Sequence, residues 1–408
     1  MLLCNEWVEF CEKRLDACRP PTIRSMHALV EEENADVAEA LRQSGDDGFL
    51  EPLLFAYLHA TRLHPEGPST IELPQIALGH VVPELRPESI PVHADDTGTI
   101  YVPEIGYFVT HVRNEEMALI YHRESRSYSP TTTDGSDISF AFHAPLRVPG
   151  TEIEIMQRGN PLMDAVFMRN DGTATGTPLG KSISCRGQSN VAPLGGALDI
   201  IREKLSFFHR LLTRTTRRLF VFDEPSVDSF ARMPAHGVVF LNETQGVREE
   251  PFFLYELVCR GTITLFNAMS PRPRDYFHID PNQTLDQFAI RWGGDRNVYT
   301  GLHGMFYECL MTLAMDHLHH QRVFSGRMAH EVLGRLAYLH SRFRSDIHDL
   351  MVRGDILSDL GRDFYGRLTR QIEILRARRA ALPSLDLRNQ LGLFDYAGFA
   401  ELNPCPPS

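Results

Sequence analysis

The stretch Phe253-Leu254-Tyr255-Glu256-Leu257-Val258-Cys259-Arg260 gathers the residue types in this chain best able to do chemistry at a regular spacing. On a helix Tyr255 and Cys259 lie one turn apart on one face, with Glu256 beside it. Two ligands at that spacing can reach a single ion, which is the physical basis of the H-E-x-x-H metal motif. Here a tyrosine and a cysteine occupy the two histidine positions. A cysteine thiolate is a competent ligand for soft metals, whereas tyrosine is a rare one. The plain alternative is an amphipathic helix that turns Leu254, Leu257 and Val258 into a core.

Other patterns compete with this one. His278-Ile279-Asp280 has the H-x-D form of a two-histidine, one-carboxylate iron site, with His303 as a later histidine; Pro281 and Asn282 explain it equally well as a turn. His317 and His320 lie three apart and read more simply as solvated groups near a helix end. Gly176-Thr177-Pro178-Leu179-Gly180-Lys181-Ser182 approaches a phosphate loop, but Thr175 stands where the first glycine is needed and Pro178 removes an amide donor. Arg210, Arg214, Arg217 and Arg218 are expected along one side of a helix, either as a solvated face or as an attractor for an acidic peptide.

The elements that must hold these residues follow from periodicity. A chain of 408 residues is long enough for two or three domains and an ample core. Helical spacing predicts helices over Asn5 to Ala17, Ile23 to Arg42 and Phe49 to Leu63. Short alternating runs such as Gly98 to Val102, GYFVTHV, ALIYH, ISFAFH and TEIEIMQ then predict an antiparallel sheet region. Helices return over Ala197 to Leu212, Phe252 to Ala268, Leu302 to Gln321, Met328 to Met351 and Asp363 to Ala381, with strands at Arg218 to Phe222 and Gly237 to Leu241.

The expected class is therefore α+β, read as a helical segment at 1–65, a β-rich region at 66–190, a mainly helical domain at 191–381 and a proline-containing, loosely packed tail at 382–408. A net charge of -12 argues against indiscriminate nucleic-acid binding, and no stretch has transmembrane length. Seven cysteines without a secretory signal point to a reducing compartment, so a cytoplasmic location is expected. Cys4, Cys11 and Cys18 recur every seven residues, which suits core packing; two turns separate successive thiols, too far for one ion.

The order of segments resembles the HExxH-motif proteins of bacterial pathways to ribosomally made, modified peptides. ALDIIREKLSFFHRLL, RRLFVF and AHGVVFLN precede FFLYELVC; Trp292-Gly293-Gly294-Asp295-Arg296, Gly301-Leu302-His303-Gly304-Met305-Phe306 and then Ile356-Leu357-Ser358-Asp359-Leu360-Gly361-Arg362 follow it. The resemblance covers roughly Gly195 to Arg370. Members with an intact motif look like peptide side-chain hydroxylases using Fe(II) and 2-oxoglutarate. Carried over, Tyr255 and Cys259 fall where the histidine ligands belong and Glu256 where the motif glutamate belongs. The resemblance thus implies Glu256 as a catalytic residue, Cys259 and His303 as metal ligands, and Arg296 and Tyr255 as substrate-facing groups. It leaves two functions open: an enzyme modifying a peptide with altered ligands or without a metal, or a non-catalytic protein that binds a precursor peptide or a partner.

Overall fold

Helical periodicity at both ends and alternation between them produce an α+β protein. The computed structural model describes residues 5–63, 73–167, 185–225, 227–245, 249–291, 296–353, 355–380, 382 and 384–405. The first half holds α1 (Asn5–Glu33), α2 (Ala35–Ser44), α3 (Pro52–Leu63), α4 (Leu73–Ala77), β1 (Ser89–Ala94), β2 (Thr99–Val102), β3 (Gly106–Thr110), β4 (Glu115–His122), β5 (Ser127–Thr132), β6 (Phe140–His143), β7 (Leu146–Arg147), β8 (Glu154–Ile155) and α5 (Pro161–Val166). The second holds α6 (Val191–Lys204), α7 (Ser206–Thr215), β9 (Arg218–Phe222), β10 (Val238–Asn242), α8 (Glu250–Met269), α9 (Val298–His320), α10 (Gly326–Arg342), α11 (Ser345–Met351), α12 (Asp359–Arg379) and α13 (Tyr396–Leu402).

Two compact units share the chain in an interleaved way. The first takes Met1–Cys18, Ala192–Thr215 and Gln245–Ser408; the second takes Arg19–Val191 and Thr216–Thr244. The sequence divides into four consecutive segments instead, because periodicity carries no information about which distant segments share a core.

In the second unit β1, β4 and β5 form one antiparallel sheet and β2, β3 and β6 another. Strand alternation turns Ile90 and Val92 of β1 and Met117 and Leu119 of β4 into one core with Phe108 and Tyr128. A further sheet, ordered β10-β9-β8-β7, pairs β10 with β9 and β8 with β9 in parallel. The sequence suggested no parallel pairing. Among the described residues the connection from β9 to β10 holds only a short 3-10 turn at Met233–Ala235, so for that pair no helix alternates with the strands to announce a parallel crossover.

In the first unit Trp7 stacks on Phe306 at 5.6 Å between ring centres and joins Phe266, Tyr276 and Phe364 in an aromatic core. Gly261 lets α8 lie close on α7, since a Cβ there would stand 2.3 Å from Leu212 Cδ1. A capping box starts α9: Asn297 Oδ1 accepts from the Thr300 amide at 2.9 Å, and Thr300 Oγ1 accepts from the Asn297 amide at 2.9 Å.

Several expectations are corrected. The first helix does not break at Pro20-Pro21 but runs to Glu33, and the next starts at the side-chain cap of Asn34. The arginine run does not form one helical face: α7 ends at Thr215 and Arg218 lies in β9, fully buried, while Arg210 and Arg214 pair with Glu12 and Asp16. The tail is not loose over its described residues, because Phe394 and Phe399 are buried against Tyr338 of α10. Cys11 and Cys18 are buried as core thiols. No described helix is long and apolar enough to cross a membrane.

Candidate functional site

Every residue of α8 from Pro251 to Cys259 is buried, so the helix is apolar all round and belongs to the interior rather than to the wall of a cleft. Tyr255 is 8% exposed and carries the Arg335 guanidinium over its ring at 4.4 Å. Arg335 is itself held by Glu331, one turn earlier on α10, at 2.8 Å. Glu256 accepts from Arg260 Nε at 3.0 Å within α8. Cys259 is 3% exposed, and burial, outweighing the nearby Arg260, pushes its thiol up to about 12. A thiol that stays protonated at neutral pH is a poor metal ligand.

His303 lies on α9, stacked on Phe266 at 5.0 Å between ring centres. Its Nε2 is shut off from solvent without a protein partner, and burial together with the Arg296 charge pulls the imidazole down to about 4. Arg296 is exposed just before α9, within electrostatic reach of His303, while Trp292 to Asp295 lie outside the described residues. Gly176 to Ser182 also lie outside them.

Among the described residues, Glu256, Cys259 and His303 do not form a group of three ligand atoms within 4.8 Å of one another; Glu51, His80 and Glu104 do. In that group the cation is already supplied by Arg218, which pairs with Glu51 and lies 4.0 Å from Glu104. His278 is near Arg362, at 3.4 Å, and joins no such group either. Fe(II) with 2-oxoglutarate therefore does not fit the α8 residues: one candidate ligand is a protonated core thiol, one a phenol under a guanidinium, and the carboxylate is committed to Arg260.

The structure brings forward a different pair, which the sequence reading missed. A cavity of 180 Å³ between α9, α10 and α12 is lined by Glu308 and His340, with Arg376 and Arg379 also lining it. Phe343, Ile372 and Leu375 supply apolar wall. Glu308 Oε2 and His340 Nε2 are closed to solvent and have no hydrogen-bond partner in the protein. Burial raises Glu308 to about 8 against the opposing pull of Arg342, Arg344 and Arg296, and burial lowers the pKa of His340. Near neutral pH this places a protonated carboxyl and a neutral imidazole around one space. The signal in the sequence was a lone glutamate inside the apolar helix run of α9, which periodicity alone treats as a surface position.

A second, larger cleft of 650 Å³ lies where α9 ends and α10 begins, with Leu318, Phe324, Val332 and Leu333 as apolar wall and His319 and His330 among its polar groups. Its volume falls in the range of roughly 300–1,000 Å³ typical of ligand sites. No protein-family model matches the chain, and no curated protein matches it.

Proposed function

We propose that this chain is a cytoplasmic, peptide-binding protein of pathways that modify ribosomally made peptides, and that it works without a metal on α8. The carrying observation is the state of that helix. Tyr255 and Cys259 occupy the two ligand positions as buried core groups, and Glu256 is bound to Arg260. The segment order from Gly195 to Arg370 supports the peptide pathway, and the 650 Å³ cleft gives peptide side chains room to bind.

One observation favours a second reading, a peptide-modifying enzyme that needs no metal. Glu308, raised to about 8, could hold and release a proton near neutral pH, which is the property of a general acid or base. Incubation of the purified chain with a library of short synthetic peptides, followed by native and denaturing mass spectrometry, separates the two. Retention of an unmodified peptide with no bound iron or zinc supports the binding protein. A mass change on the peptide that disappears in Glu308→Gln supports the enzyme. A peptide gaining one oxygen only when Fe(II) is supplied would overturn both.

A further inference from the structure

The cavity between α9, α10 and α12 has an electrostatic character that its size alone does not reveal. At 180 Å³ it offers roughly six times the ~30 Å³ that one water molecule takes. It is lined by Arg376 and Arg379, and the charges of Arg296, Arg342 and Arg344 all act on Glu308 in the direction expected of a positive surrounding. Arg376 also lies over the Phe343 ring at 4.5 Å, which fixes it against the cavity wall. A cation is disfavoured here, and a wholly apolar guest would leave the polar side chains of Glu308 and His340, which line the space, without a partner in it. His340 is 7% exposed, and its Nε2 is closed to solvent.

We propose that this cavity binds a carboxylate carried on a short apolar group, which Arg376 and Arg379 attract and which Glu308 and His340 hydrogen-bond. The apolar group lies against Phe343, Ile372 and Leu375. A protonated Glu308 carboxyl donates one hydrogen bond to a carboxylate oxygen, a pairing that a second ionised carboxyl would forbid. The same chemistry is presented by a free aliphatic acid and by the C-terminal residue of a peptide. The proposal stands apart from the peptide-binding function above, since a free acid would satisfy it in a protein that binds no peptide.

Calorimetric titration of the full chain tests it, with isovalerate, its neutral amide isovaleramide, N-acetyl-leucine and N-acetyl-leucinamide as probes at pH 7 and pH 9. Over that interval Glu308 is the group around the cavity that titrates. Cys259 on α8, Cys309 and Tyr307 on α9 and Tyr365 on α12 are all raised beyond it, His340 is lowered below it and Arg344 is raised; Arg296, Arg342, Arg376 and Arg379 are the other charged groups near Glu308 or the cavity.

The acids should bind at pH 7 at least about ten-fold more tightly than the matching amides, and about ten-fold more weakly at pH 9, where Glu308 ionises. Glu308→Gln should bind the acids at pH 7 and lose the difference between the two pH values. The pair Arg376→Ala and Arg379→Ala, at exposed positions, should weaken acid binding by about ten-fold with an unchanged melting temperature. Tighter binding of N-acetyl-leucine than of isovalerate assigns the site to a peptide C-terminus, and the reverse order assigns it to a free acid. Equal binding of acid and amide, no binding of any probe at millimolar concentration, or a pH dependence that survives in folded Glu308→Gln protein would overturn the proposal.

Discussion

Two buried polar clusters in this molecule have opposite fates. In the second unit Arg218 meets Glu51 through both terminal nitrogens, 2.9 Å for the Nη2 contact, while its Nε donates to Tyr101 Oη at 3.0 Å. Tyr101 and Tyr107 donate to Glu154 at 2.7 and 2.9 Å, and His80 Nε2 reaches Glu51 at 2.8 Å. Burial drives the Glu51 carboxyl upward, but Arg218 and His80 outweigh it and hold it at about 2. In the first unit Glu308 is less completely buried, with arginines near enough to act on it and no hydrogen-bond partner at its closed-off Oε2, and it rises to about 8. Burial alone does not decide whether a carboxylate is structural. The direct hydrogen-bond partners do: a satisfied cluster is closed to ligands, and an unsatisfied one is still able to bind them.

This contrast can be broken by substitution. The largest effect should come from Arg218→Met, which leaves Glu51 and Glu154 buried together without their cation; urea unfolding should show a loss of ~3–5 kcal/mol. The same cluster fixes an acid limb. Glu51 is held below its unfolded value of about 4.5, so its contribution is complete above that pH and is lost as pH falls towards about 2. A stability profile of the wild type should fall over that window, and the fall should be reduced in the variant.

Glu308→Gln should move stability the other way. The folded pKa of about 8 lies above the unfolded value of about 4.5, so the folded state of the wild type loses stability as pH rises from 4.5 to 8. The glutamine variant should gain about 2 kcal/mol at pH 8.5 and close to nothing at pH 4, the full shift being discounted because the side chain is partly exposed. Equal gains at both pH values would mean that Glu308 is not desolvated. A smaller effect, about 1 kcal/mol, should follow Asn297→Ala, which removes the cap that starts the helix carrying Glu308. The smallest concerns Cys259: its thiol should resist a disulfide-exchange reagent at pH 8 until the protein is unfolded, and Cys259→Ala should leave iron and zinc content unchanged.

Much of this architecture was legible beforehand. The α8 and α9 helices, the strands from Thr99 to Thr110 and the pair β9 and β10 all match elements read from the length and residue types of apolar runs. β1 and β5 were not read, because Pro91 and Pro130 interrupt the apolar alternation that marks a strand. The candidate site was legible only in part. Sequence spacing placed Tyr255, Glu256 and Cys259 on neighbouring positions of a helix, which the structure has, but spacing cannot tell whether such a face opens on a cleft or on a core.

The sequence by itself determined the α+β class, because local periodicity is enough to choose between helix and strand. It also determined that α8 would be helical and rich in apolar residues. Only the tertiary structure decided which polar groups would find partners. Glu51 and Arg218 are separated by 167 positions yet form one ion pair, while Glu308 and His340, 32 apart, line one cavity with polar atoms unpaired. Desolvation and hydrogen bonding depend on what surrounds a group in space, and the surroundings are assembled from segments whose order along the chain does not specify their contact.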